Sequence, residues 1–152
     1  GQLGLAMQAE LNASKIDFLA FDSKSLDITN ESDIEAEFLK NSPKVVVNCA
    51  AWTDVDGAET NQDQAFAINS LAVKKLAINA KKIGAVFIQI STSIVDLIGV
   101  AGIGLLGAIS TLDNKSKSQN HTINMVLEYL HISELSVPRQ MLIITTEKRI
   151  TR

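Results

Sequence analysis

The sequence predicts an α/β chain built on a parallel sheet, and three observations carry that expectation. Short, almost wholly apolar runs alternate with segments of helical spacing from residue 1 to about residue 91. The apolar runs lack the polar/apolar alternation of a half-wetted strand, so each reads as buried on both faces. Strand–helix–strand alternation then requires crossovers, and right-handed crossovers give a doubly wound, Rossmann-like sheet with helices on both faces.

The elements follow in order. Leu3 to Asn12 has helical spacing, with Leu3, Met7 and Leu11 four apart on one face. Ile16 to Phe21 is an apolar run suited to a buried strand. Asn30 offers an N-cap, Glu31 and Asp33 supply an acidic first turn, and Ile34, Phe38 and Leu39 are expected on the inward side of the helix that follows. Lys44 to Ala50 is β-branched and bounded by Pro43, a strand signal. From about Asn61 to Lys82 a helix is expected, with Phe66, Asn69, Val73, Leu76 and Ala80 on one stripe and Gly84 at its end. Ala85 to Ser91 is another buried strand. Ile94 to Ile109 shows neither period. Asn120 to His131 suits a helix with Ile123, Val126, Leu127 and Leu130 inward, and Met141 to Thr145 suits a strand.

No strand precedes Gly1 in this sequence, so the expected sheet is incomplete, with a gap in its centre where its first strand belongs. Met141 to Thr145 is the candidate to fill that gap.

Composition sets outer bounds. With 152 residues, 46% hydrophobic and 20% charged, the chain suits one domain with a real core. Eight Gly, two Pro and one Cys exclude collagen-like and disulfide-scaffold classes. A net charge of -3 and a pI of about 5.3 argue against a general nucleic-acid binder. Residues 1–93 carry 8 Lys+Arg against 12 Asp+Glu, and residues 94–152 carry 6 against 5. The longest charge-free apolar run, Leu97 to Ile109, is shorter than the roughly 18 residues of a membrane span. With no signal-peptide core, and with Cys49 unable to form an internal disulfide, a soluble, cytoplasmic protein is expected.

Several residues could carry chemistry, each with a plain structural alternative. Gly1-Gln2-Leu3-Gly4 precedes a helix, where backbone N–H groups can face a phosphate or glycines can simply make a turn. Asp27 can accept hydrogen bonds from an adenosine, or be a solvated turn aspartate. Cys49-Ala50-Ala51 ends a strand where ligands of open α/β sheets bind, and small residues there admit a flat ring or merely pack tightly. Trp52 covers a ligand or fills the core edge. Ser91 and Thr92 can polarise a carbonyl or cap a backbone group. His121 and His131 show no metal-ligand spacing.

In sequence order, Gly1-Gln2-Leu3-Gly4, Leu26-Asp27-Ile28-Thr29-Asn30, Val47 to Asp56 (VNCAAWTDVD), Ala67-Ile68-Asn69 and Ile88-Gln89-Ile90-Ser91-Thr92 form a pattern. It resembles the dTDP-4-dehydrorhamnose reductase family of extended short-chain dehydrogenases/reductases, over roughly residues 1–93. The resemblance implies NADPH or NADH as cofactor and dTDP-4-dehydro-rhamnose as the nucleotide-sugar substrate whose 4-keto group is reduced. It puts Gly1, Gln2 and Leu3 at the pyrophosphate, and Asp27 and Ile28 near the adenosine. Cys49, Ala50 and Ala51 would line the path to the nicotinamide, with Trp52 beside it. Thr92 corresponds to the hydroxyl that polarises the keto group, and Lys117 to the lysine that favours a tyrosinate and holds the ribose. No membrane or nucleic-acid partner is implied.

The sequence departs from that family after Ser93. Ser93-Ile94-Val95-Asp96 replaces the family's Asp-Tyr-Val-Phe-Asp-Gly, and Asp113 stands where its tyrosine should be, four residues before Lys117. The sequence also stops short of the family's small C-terminal substrate lobe. Two readings result. In one, residues 1–93 are the NAD(P)-binding portion and residues 94–152 a divergent continuation of the same domain, in an impaired reductase. In the other, the chain is a non-catalytic nucleotide-binding or interaction module. An abrupt loss of resemblance with an echo at Lys115-Ser116-Lys117 fits a change of reading frame, which predicts the lost motifs in another frame of the coding DNA.

Overall fold

The computed structural model describes residues 2–52, 59–91, 108–110 and 141–144. Helix α1 (Gln2–Ala13) leads into strand β1 (Phe18–Phe21), and α2 (Glu31–Asn41) into β2 (Val45–Asn48). A long helical stretch follows as α3 (Gln62–Phe66), a π-helical segment (Ala67–Ala72) and α4 (Val73–Lys82), then β3 (Val86–Ser91). Two further strands, β4 (Ala108–Ser110) and β5 (Met141–Ile144), complete the described elements. The expected helix over Asn120 to His131 lies outside the described residues. Among those described, no helix is long and apolar enough to cross a membrane.

The five strands form one parallel sheet in the order β1-β5-β2-β3-β4. The gap expected in the sheet is therefore closed: β5, from the expected Met141 to Thr145 segment, lies in the centre. It pairs Leu142 with Leu19 on one side and with Val46 on the other. In a doubly wound sheet the strand beside both β1 and β2 is the one that leads into the first helix. Here β5 holds that position from the other end of the sequence. β4 was not legible, because three residues inside a long apolar run carry no period of their own.

The two faces of the sheet are covered by different helices, as a doubly wound topology requires. Met7 and Leu11 of α1 pack with Val45, Val47, Ile88, Ile90 and Ile143. Ile34 and Phe38 of α2 and Val73, Leu76 and Ala80 of α4 pack on the other face with Val46, Phe87 and Ile144. Alternate residues of β2 thus serve both cores, which is why the strand is apolar throughout and buried at all four positions. β1 is different. As an edge strand it leaves Leu19 38% exposed and Ala20 exposed, so the expectation of burial on both faces fails there.

Helix ends follow the sequence signals. The Asn30 side chain accepts from the Ser32 N–H at 3.0 Å and caps α2, with Glu31 and Asp33 behind it against the helix dipole. Asn30→Ala is expected to cost about 1 kcal/mol in urea unfolding. α4 ends in a Schellman motif, in which Gly84 at φ 70° lets its N–H bond Lys81 O and the Ala85 N–H bond Ala80 O. α1 ends the same way through Lys15 at φ 55°, with bonds to Asn12 O and Leu11 O. Lysine has a Cβ to strain there, so Lys15→Gly is expected to raise stability by about 0.5–1 kcal/mol, read as a higher urea midpoint.

Two inward positions expected from spacing are not inward. Leu39 is 65% exposed, because α2 needs only the narrow Ile34/Phe38 stripe to meet α4. Phe66 is 59% exposed. The π segment takes an extra residue in its turn and so rotates everything before it by about 100° relative to α4. The stripe of Val73, Leu76 and Ala80 therefore does not continue back to Phe66.

Candidate functional site

All strands run parallel, so their C-terminal ends meet along one edge, where ligands of such sheets bind at the point of strand-order reversal. The turn after α1 delivers the chain to the start of β1 at the opposite edge. Since 12 helical residues span about 18 Å, longer than a four-residue strand, the N-terminus of α1 returns to the C-terminal edge. Gln2 is exposed there and Leu3 half-buried. No acidic side chain lies in the first turn of α1 to compete for its free N–H groups.

The exit of β2 is built from small residues under tight backbone control. Asn48 is fully buried, its Nδ2 donating to Gln89 Oε1 at 2.7 Å and its Oδ1 accepting from the Ala50 N–H at 3.0 Å. Gln89 Nε2 in turn donates to Ile90 O at 2.8 Å. Asn48 and Gln89 are also register partners across β2 and β3, so the pair fixes both the register and the turn that follows. Next, the Cys49 N–H donates to Ile144 O at 2.8 Å, tying this exit to β5. Ala50 is buried in the α2/α4 core, and Ala51 and Trp52 are half-buried.

Asn69, in the π segment, grips the Trp52 peptide from both sides. The Trp52 N–H donates to Asn69 Oδ1 at 2.8 Å, and Asn69 Nδ2 donates to Trp52 O at 3.1 Å. Such segments often mark functional places in helices, and here the extra residue turns Asn69 towards the strand exit. Helical spacing predicts Asn69 on the core stripe, and the family resemblance includes it in Ala67-Ile68-Asn69.

Cys49 is a partly buried thiol, and desolvation pushes it up to about 12. It stays protonated at neutral pH and acts as a small apolar residue, not a nucleophile. Alkylation of the native chain at pH 8 is expected to be slow and to accelerate sharply on unfolding in urea, as mass spectrometry can follow.

The loop between β1 and α2 holds two aspartates. Asp27 accepts from the Thr29 N–H at 2.9 Å and the Thr29 hydroxyl at 2.7 Å, both on Oδ1. These bonds, the hydroxyl first, hold its carboxyl below the usual range, and Lys75 adds to the effect. Lys75 Nζ also donates to Thr29 O at 2.7 Å, pinning the loop to α4. Ile28 points the other way, buried in the core. Asp27 is thus a turn residue by its own bonds, on an exposed position of the loop. Asp22, directly after β1, accepts from the Ser25 hydroxyl at 2.8 Å and the N–H groups of Lys24 and Ser25 at 3.0 Å, and it too is held below the usual range, mainly by Ser25. Both bonded sets are complete at neutral pH and weaken as pH falls through the lowered values.

Asp22 was missed in the sequence. Its signal was its place: an acidic residue at the end of the strand after α1, about 20 residues beyond the first glycines. Asp22 lies at the C-terminal end of β1, with Oδ1 bonded within its own loop. Of the expected site residues, the structure brings Gln2, Leu3, Asp27, Cys49, Ala50, Ala51 and Trp52 to the C-terminal edge, and buries Ile28 beneath it. Gly1, Thr92 and Lys117 lie outside the described residues. Among those described, no group of His, Cys, Asp and Glu could hold a metal.

Comparison with known proteins identifies the family and the fold. A dTDP-4-dehydrorhamnose reductase from Mycobacterium tuberculosis is 41% identical over 95 residues, which are 62% of this chain and 31% of that protein. The spore coat polysaccharide biosynthesis protein SpsK of Bacillus subtilis is 34% identical over 95 residues, 34% of its length. The chain thus spans about a third of the curated relatives it matches. Among solved structures, a dTDP-4-dehydrorhamnose reductase from Bacillus anthracis in complex with NADP shares 30% identity at a TM-score of 0.59, over 96% of this chain and 50% of that one. A hypothetical dTDP-4-dehydrorhamnose reductase from Sulfolobus tokodaii, at 21% identity and a TM-score of 0.69 over 95% of this chain and 72% of that one, agrees in fold. The family model described as RmlD substrate binding domain matches residues 1–96, and the chain belongs to that family.

Proposed function

We propose that this chain is the nucleotide-binding part of a dTDP-4-dehydrorhamnose reductase, and that it binds NADPH or NADH without completing the reduction. Residues 1–93 form the NAD(P)-binding portion and residues 94–152 a divergent continuation of the same domain. The observation that carries the reading is the exit of β2. Small residues there are held rigid by Asn48 and Asn69 at the reversal point of the sheet, beside a helix N-terminus free of carboxylates.

These residues fit a dinucleotide. Gly1, Gln2 and Leu3 offer backbone donors to its pyrophosphate. Asp27 accepts from its adenosine, above the buried Ile28. Cys49, Ala50 and Ala51 leave a path for the nicotinamide ring, which Trp52 flanks. When bound, the cofactor supplies a hydride. In a complete reductase Thr92 polarises the 4-keto group of dTDP-4-dehydro-rhamnose, and Lys117 holds the cofactor ribose. Asp113 stands where the family has its tyrosine, and a carboxylic acid side chain is no substitute for the phenol that gives the proton, so turnover stops at binding. The loss of one such group costs on the order of 10² to 10⁴ in rate. The protein works in the cytoplasm.

Calorimetric titration tests the reading. The chain should bind NADPH or NADH saturably, and Ala51→Trp, which fills the nicotinamide path, should abolish binding while the far-ultraviolet spectrum is retained. Equal binding by the two proteins would overturn it. The Asp22 carboxylate opposes a 2′-phosphate, so Asp22→Ser is expected to move the NADPH/NADH affinity ratio towards NADPH by on the order of tenfold. The same titrations measure that ratio.

A further inference from the structure

The loop from β1 to α2 is held from two sides. Leu26 and Ile28 anchor it in the α2/α4 core, at 3% and 4% exposure, while Asp27 and Thr29 stay exposed. From α4, 46 positions along the chain, Lys75 reaches back to it, and Nζ donates to Thr29 O at 2.7 Å. A charged donor at that distance makes a strong bond.

That bond fixes one peptide plane. The peptide joining Thr29 to Asn30 gives its N–H to Asp27 O at 3.1 Å and accepts from Lys75 on its carbonyl. The Thr29 N–H and hydroxyl both go to Asp27 Oδ1, at 2.9 and 2.7 Å. Main chain and side chain of Asp27 are thus bonded to Thr29 and Asn30, and Lys75 holds that pair from outside the loop.

α4 does not need the bond in order to dock. Val73, Leu76, Ala77 and Ala80 seat it in the core, each at 5% exposure or less. Lys75 is half-buried, and the buried Asn79 secures the turn that carries it through a bond from Nδ2 to Lys75 O at 3.0 Å. Lys82 differs: it meets Glu35 at 3.4 Å with both side chains about half exposed, an ordinary surface pair. Lys75 spends its charge on a backbone carbonyl of the loop instead.

We propose that Lys75 is a positioning residue for the adenosine end of the dinucleotide, holding the 29–30 peptide, and through it Asp27, in the shape that receives the adenosine. The inference rests on the nucleotide-binding reading above. Lys75 acts through Asp27 and not by touching the cofactor. Without its bond the 29–30 peptide is free to turn, and part of the binding energy goes into ordering the loop.

Calorimetric titration of the full chain with NADPH and with ADP-ribose, which lacks the nicotinamide, tests the proposal. Lys75→Met keeps the apolar stem and removes the donor, and circular dichroism checks that it folds. Lys75→Gln, uncharged and too short for the same bond, is a second variant with the same expectation. Each should bind both ligands more weakly by on the order of tenfold, and by the same factor for the two. Lys75→Arg should recover most of the loss, because a guanidinium also donates to a carbonyl. Lys74→Met, which removes the same charge from an exposed neighbouring position, should bind like the wild type.

Unchanged affinity in the Lys75 variants would overturn the proposal and leave the nucleotide reading standing. So would an equal loss in Lys74→Met, which would reduce the effect to general attraction of phosphates, or a loss for NADPH with none for ADP-ribose. A wild-type chain that binds neither ligand would overturn the nucleotide reading, and this proposal with it.

Discussion

Ile143→Ala is expected to remove about 2–5 kcal/mol of stability, and Ile143→Asp to leave the chain unfolded at neutral pH. Ile143 has no exposed surface and packs against Met7 and Leu11 of α1 and Val45 and Val47 of β2. Truncation loses the transfer energy of the side chain and leaves a cavity at the strand that, among the described residues, joins β1 to the rest of the sheet. Against a total of about 5–15 kcal/mol for a domain of ordinary stability, the loss is large. Urea unfolding followed by circular dichroism measures it. A change below about 0.5 kcal/mol, the size expected of an exposed position, would show that residues 141–144 do not occupy the centre of the sheet.

Asn48→Asp is expected to destabilise by about 3–5 kcal/mol at pH 7 and by much less in mild acid. The side chain is fully buried, and its Nδ2 donates to Gln89 Oε1 at 2.7 Å. An ionised carboxylate would set two acceptors against each other there. Gln89 cannot turn its amide to help without losing the bond from Nε2 to Ile90 O. Burial raises the introduced carboxyl above its unfolded value near 4, so the folded state favours the protonated form. The penalty is therefore largest above the raised value and falls as pH drops through it, because the protonated carboxyl donates to Gln89 Oε1 as the amide did. Unfolding midpoints for the wild-type chain and Asn48→Asp between pH 4.5 and 8 should converge at the acid end. Parallel curves would contradict the bonding described for this pair.

The parts of the fold set by local chemistry were legible in the sequence. The apolar run of Val45 to Val47, the Asn30 cap and the Gly84 stop each act through neighbouring residues, and each element lies where those signals put it. What was not legible depends on distant chain. Leu19 and Ala20 read as core because nothing local says that β1 is an edge strand. Phe66 read as core because the π turn at Ala67–Ala72 leaves no mark in hydrophobic spacing. At the candidate site, the small residues Cys49, Ala50 and Ala51 could be picked out from the strand end they follow. The hold of Asn69 on the Trp52 peptide needs a contact 17 residues apart in sequence, and the Asn48–Gln89 pair one 41 apart. Asp22 had a positional signal, but Asp27, within the block that resembles a family, drew the assignment instead.

The most direct test of nucleotide binding uses the only tryptophan, Trp52, which the reading puts beside the nicotinamide. Trp52 is excited while NADPH is titrated into the full chain and the nicotinamide emission is followed, first alone and then with dTDP-4-dehydro-rhamnose present. Saturable sensitised emission that NADP competes away, with no substrate-dependent loss of NADPH, is the predicted result. Absence of sensitised emission up to millimolar NADPH would contradict binding at this edge, and steady oxidation of NADPH on adding the sugar nucleotide would contradict the claim that the chain binds without turnover.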